Sequence, residues 1–145
     1  EGKAQPACPP TAQAIAGQDI QVKVTLIAPN DLYYVSLEDP FPAGTEPVDT
    51  SLKTTSVVGQ APDLNYVNPL YYGWGWWWFS HTDIRDEKVV LSATLLPKGT
   101  YEYTYILHAS LPGIYKVLPT TASEQYFPEV QGRGDGMEFI IVPGE

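Results

Sequence analysis

Apolar and polar residues alternate with a period of two along much of this chain. From Gly17 onward, Ile20, Val22, Val24 and Leu26 alternate with Gln21, Lys23 and Thr25, the signature of a strand with one buried and one wet face. Pro29-Asn30-Asp31 marks a turn, and LYYVSLE (32–38) predicts a second strand that Asp39-Pro40 and Pro42-Ala43-Gly44 stop. FSHTDIR (79–85) and KVVLSATL (88–95) predict two more, joined by a tight turn at Asp86-Glu87. In GTYEYTYILHAS (99–110), Tyr101, Tyr103, Tyr105, Leu107 and Ala109 share one face, with Glu102, Thr104 and His108 on the other and Ile106 the exception. IYKVL (114–118) and MEFIIV (137–142) complete the set. About seven strands with short turns, and no convincing long helix, imply an all-β fold, an antiparallel β-sandwich of the immunoglobulin-like kind. The Cys…Trp…Cys spacing of antibody domains is absent.

Three stretches break the alternation. Residues 1–16 are rich in Pro, Ala and Gln and read as a linker or N-terminal arm, leaving 17–145 as the domain. Residues 45–70 carry few periodic apolar positions and predict an excursion with room for a short helical turn. LYYGWGWWWFSH (70–81) holds all four tryptophans, Trp74, Trp76, Trp77 and Trp78. In strand geometry Trp76 and Trp78 point one way and Trp77 and Phe79 the other, with Gly73 and Gly75 bending the entry. Packing in the core or against a neighbouring domain is the expected use, because a large exposed aromatic patch promotes association.

Composition narrows the function. The 145 residues suit one domain, and a hydrophobic share of 43% supports a packed core. A net charge of −9 with only eight scattered basic residues argues against nucleic acid, whose phosphates require clustered Lys and Arg. No apolar run approaches the roughly 20 residues of a membrane helix. The opening EGKAQPACPP lacks a start Met and a signal peptide, and is expected to be cut from something longer. Cys8 is the single cysteine, so no internal disulfide or cysteine-based zinc cage forms. It is either an inconsequential linker thiol or a bridge to a preceding domain.

Candidate chemistry is sparse. His81 and His108 fall on different strands without nearby metal-ligand spacing and read as ordinary strand histidines. There is no G-x-S-x-G elbow, no phosphate-binding loop and no nucleophile–base signature, so neither an enzyme nor a cofactor site is expected. Arg133-Gly134-Asp135 spells the RGD tripeptide of adhesion proteins within a Gly-rich loop between strands, where ordinary turn chemistry also accounts for it.

The turns carry a resemblance. DPFPAGTEP (39–47), RDEKV (85–89), LPKGTYEYTY (96–105), PGIY (112–115) and YFPEVQGR (126–133) occur in that order. Together they resemble the C-terminal macroglobulin-like domain of bacterial alpha-2-macroglobulins. The resemblance implies a macroglobulin-like sandwich at the end of a large protease-trapping inhibitor, located outside the cytoplasm (periplasmic, cell-surface or secreted). In that family a cleaved bait region triggers a rearrangement, and a buried thioester captures the protease. The implied partners are the other domains of the same polypeptide, above all the helical thioester domain, with proteases reached through the full-length protein and no nucleic acid or membrane contact by this domain.

The thioester itself needs C-x-E-Q, and the nearest string here is Ala122-Ser123-Glu124-Gln125, without the sulfur. By resemblance, the loop Tyr126-Phe127-Pro128-Glu129 is the candidate for covering the thioester site. A plain structural role is equally open: Tyr126 plugs the sandwich's own core and Pro128 shapes a turn. The residues also admit another class of function, a carbohydrate-binding module that stacks sugar rings on the Trp/Tyr cluster.

Overall fold

The structure, a computed structural model, describes residues 10–48, 63–67 and 81–144. Regular structure among them is all strand: β1 (Gln13–Ile15), β2 (Asp19–Ala28), β3 (Leu32–Pro40), β4 (Thr45–Pro47), β5 (Asp63–Val67), β6 (His81–Ile84), β7 (Lys88–Leu96), β8 (Gly99–Ala109), β9 (Gly113–Val117), β10 (Thr121–Glu124), β11 (Gln131–Arg133) and β12 (Met137–Val142). The seven expected strands are present as β2, β3, β6, β7, β8, β9 and β12. The count rises to twelve because β1, β4, β5, β10 and β11 are three to five residues long, too short for a period of two to show. β1 comes from the segment read as an arm, and β4 and β5 from the segment read as an excursion.

β2 and β8 form the longest ladder, antiparallel from Asp19 opposite His108 to Ala28 opposite Gly99. β4 and β5 share the other edge of β8 at different heights. A five-stranded sheet in the order β11-β10-β3-β7-β6 packs against them. Between the two layers lie Val24, Leu37, Phe41, Val89, Leu91, Tyr103, Tyr105 and Leu107. Each fully buried side chain of this kind stabilises the fold by roughly 1.5–3 kcal/mol. A third sheet, β1-β12-β9 with β1 parallel to β12, packs Ala14, Phe139 and Ile141 beside Ala109 and Ile20.

The tyrosine row of β8 is buried as its alternation predicts, and Ile106 is buried on the opposite face. One polar group enters the interior with it. Asp39 of β3 is buried, and its carboxylate accepts hydrogen bonds from the Tyr105 hydroxyl at 2.6 Å and from the Thr120 hydroxyl. A buried carboxylate is tolerated only when its lone pairs are so satisfied.

Residues 113–142 form one long hairpin that serves two sheets. Val117 pairs with Met137 and Thr121 with Arg133, so the register passes through the intervening residues without a shift. The ladder is interrupted at Leu118-Pro119-Thr120 opposite Gly134-Asp135-Gly136, where Pro119 has no N–H to donate. The Gly134 N–H still reaches the Thr120 carbonyl at 2.8 Å. Here the hairpin leaves the β1-β12-β9 sheet and enters the five-stranded one. The RGD tripeptide therefore lies midway along a strand pair, with Arg133 inside β11 and opposite Thr121, and not in a free loop.

Two local features differ from simple turn chemistry. A chain reversal at Pro42-Ala43-Gly44 would use a positive φ at Gly44, yet among the glycines of the described residues only Gly17 and Gly113 have one. Gly44 is required by close approach instead: a Cβ there would lie 2.3 Å from the Tyr115 ring. Arg85 ion-pairs with Asp83 at 2.8 Å, not with its neighbour Asp86, while its N–H closes the hairpin onto the Lys88 carbonyl.

Candidate functional site

The far end of the long hairpin is the part of the described molecule that presents the most exposed aromatic surface. β10 and β11 are joined by residues 125–130. Backbone bonds from Glu124 N–H to Val130 O at 3.1 Å and from Val130 N–H to Phe127 O at 2.9 Å close this tip into a compact turn. Pro128 falls inside that turn, where its fixed φ suits a chain reversal. Tyr126 is 68% exposed and Phe127 61%. Tyr126 therefore does not plug the core. Pro128 and Glu129 are exposed beside it, so the four residues singled out in the sequence stand together on one protruding loop.

Two residues that alternation alone does not single out complete the site. A strict period of two along β3 puts Tyr33 on the same face as Val35 and Leu37, which are buried. Instead Leu32 packs with the core, Tyr33 and Tyr34 are both exposed, at 54% and 48%, and burial resumes at Val35. The cause is Tyr34, whose φ of 52° lies in the left-handed region. For a bulky side chain this conformation costs on the order of 1–2 kcal/mol, and it breaks the alternation. The partner strand follows: Leu95, opposite Tyr33, is exposed while Leu96, opposite Leu32, is fully buried. The Tyr34 ring meets Tyr126 edge-on, centroids 5.0 Å apart and planes at 90°. Edge-to-face pairs of this kind contribute about 0.5–1.5 kcal/mol beyond area burial. The signal that could have found them is the Tyr33-Tyr34 doublet at the start of an otherwise alternating strand.

The site offers rings, hydroxyls and one flanking carboxylate, Glu129, with no nucleophile–base pair. These are amphipathic rings at the rim of the sandwich, each able to pack through its face, with tyrosine hydroxyls able to hydrogen-bond at the edge. Trp74, Trp76, Trp77 and Trp78, and Cys8, fall outside the described residues. His108 sits on β8 with Nδ1 2.8 Å from Asp19, and the backbone of His81 belongs to β6 in the other layer, so the two histidines are not brought together. Among the described residues no group of three or more His, Cys, Asp or Glu side chains is placed to hold a metal.

A family model described as Bacterial Alpha-2-macroglobulin MG10 domain matches residues 2–129. An alpha-2-macroglobulin homolog from Nostoc sp. is 26% identical over 125 residues, covering 86% of this chain and 6% of the relative. Circularly permutated Ras protein 2 from Dictyostelium discoideum is 27% identical over 126 residues, 86% of this chain and 3% of its own length. This chain thus spans only a small fraction of the curated relatives it matches. Among solved structures, native alpha-2-macroglobulin from Escherichia coli, from domain MG7 to the C-terminus, shares the fold with a TM-score of 0.70 at 19% identity, covering 92% of this chain and 21% of that one. Salmonella alpha-2-macroglobulin reacted with methylamine gives 0.67 at 20% identity, covering 92% and 8%. With a family model spanning most of its length, the chain belongs to the bacterial alpha-2-macroglobulin MG10 domain family.

Proposed function

We propose that this chain is a non-catalytic, C-terminal domain of a bacterial alpha-2-macroglobulin-like protease-trapping inhibitor, and that its hairpin tip covers the thioester site of a neighbouring helical domain. Tyr126 is the central contact, flanked by Phe127, Pro128 and Glu129. Proteases are then met by the full-length protein and not by this domain, in the periplasm, at the cell surface or in the medium. Family membership supports the reading, and one observation carries it: Tyr126 and Phe127 stand out of the sandwich on a closed, braced turn. Rings left in water by the domain's own fold are suited to a partner that excludes water from beneath them. A thioester is hydrolysed or aminolysed when solvent reaches it, so an apolar cap over it prolongs its life.

The test uses the intact parent protein. Tyr126→Ala is expected to shorten the thioester's lifetime toward methylamine by about tenfold or more, the scale of losing a single anchor residue at an interface. The released cysteine thiol, titrated over time, reports the rate. An unchanged lifetime would remove the shielding role and leave the loop without its assigned partner.

A further inference from the structure

The structure assigns a positioning role to Glu124, which lies just before the tip. Glu124 is the last residue of β10, pairs with Val35 and is only 7% exposed. Its Oε1 accepts the Tyr33 N–H at 2.7 Å. One residue on, the Gln125 N–H donates to the Tyr34 carbonyl at 2.9 Å, and there the chain turns away into the tip. A longer β10 would not supply this bond: the Glu124 N–H faces Val130 and the Gln125 N–H faces Tyr34, so by alternation the backbone of residue 126 would face away from Tyr33. The Glu124 carboxylate thus provides an acceptor that the backbone of this arm of the hairpin is not placed to give. An unpaired N–H at this partly buried position would otherwise be costly, and a bond to a carboxylate is stronger than one to a neutral acceptor.

The consequence reaches the tip through Tyr34. With the Tyr33 N–H and the Tyr34 carbonyl both tied to β10, the left-handed φ of 52° between them is over-determined and persists despite its strain. That conformation turns the Tyr34 ring out to meet Tyr126 edge-on. Glu124 thus orders Tyr126 before any partner arrives, by way of Tyr33 and Tyr34. Preorganisation of this kind lowers the ordering cost of docking, a benefit that rests on the docking role proposed above.

Three variants of the 145-residue chain test the assignment. Glu124→Gln keeps an oxygen acceptor, Glu124→Met keeps the volume without one, and Glu124→Ala removes both. Amide hydrogen exchange at Tyr33 and the nuclear Overhauser signal between the Tyr34 and Tyr126 rings are the readouts, with β8 amides as the control for folding. In Glu124→Met the Tyr33 amide is expected to exchange about tenfold faster or more, while the ring-to-ring signal disappears and β8 stays protected. Glu124→Gln is expected to retain the ring-to-ring signal. A Glu124→Met chain that keeps both the slow Tyr33 amide and that signal shows mere filling of space and overturns the assignment. If Glu124→Ala does not fold, the Met and Gln variants decide alone. In the intact parent protein, Glu124→Met should also shorten the thioester's lifetime. A vanished ring-to-ring signal with an unchanged lifetime leaves the positioning role standing and counts against the docking reading.

Discussion

Tyr105 and Tyr126 are the same residue put to opposite uses. Tyr105 is 2% exposed between two sheets, its hydroxyl spent on Asp39. Tyr126 is 68% exposed at the end of a hairpin, its ring met edge-on by Tyr34. In the sandwich, side chains settle where the period of two sends them, and the backbone is relaxed. At the tip, a left-handed residue and a carboxylate acceptor hold rings out of the core. The contrast teaches that the interior determines whether the domain folds, and the tip determines what it presents.

Truncating each tyrosine breaks the comparison most sharply. Tyr105→Ala is expected to destabilise the chain by about 3–5 kcal/mol, from the cavity and the stranded Asp39 carboxylate, read as a drop in the urea midpoint. Gly44→Ala comes next, because the added Cβ forces aside the Tyr115 ring, whose hydroxyl donates to the Leu111 carbonyl at 2.9 Å. A loss of about 1–3 kcal/mol is expected from such overpacking, again by urea denaturation.

Titration gives a third handle. Burial, with the nearby Asp39 charge, raises the Tyr105 pKa, and burial raises that of Tyr103. Both groups therefore stay protonated in the folded chain after unfolded tyrosines begin to ionise near pH 10, so their stabilisation is present below about pH 10 and is lost as pH rises above it. Tyr105, the more strongly shifted of the two, contributes a slope of about 1.4 kcal/mol per pH unit there. Tyr105→Phe should remove its share of that slope in denaturation midpoints measured across the alkaline range. Tyr126→Ala marks the small end: a loss of about 0.5–1.5 kcal/mol, the scale of its edge-on contact with Tyr34. A large loss of stability on that substitution would erase the distinction between tip and interior.

The long strands were legible because alternation is local chemistry. Ile20 to Leu26, Val89 to Ala93 and the Tyr101–Ala109 row each repeat often enough to show which face is wet. The order of the turn motifs likewise identified the family, because each is a short run of adjacent residues. The tip loop was legible as a candidate, but not its exposure: YFPE reads equally well as a core plug or a protruding turn until its neighbours are placed. Strands as short as β10 and β11 carry no usable period, and their pairing depends on β3, a strand far away in the chain that sets Glu38 opposite Thr121. Gly44 shows the same limit, for its reason is the Tyr115 ring brought beside it by the fold.

The order of residues alone dictates the sandwich, its long strands and the lack of a thioester cysteine in Ala122-Ser123-Glu124-Gln125. That Tyr33, Tyr34, Tyr126 and Phe127 share one exposed end emerges only when the chain is folded. Alternation follows from each residue's own side chain, so it can be read position by position. The turn-out at Tyr34 instead depends on a segment distant in the chain, through the Gln125 N–H on the Tyr34 carbonyl and the Glu124 carboxylate on the Tyr33 N–H.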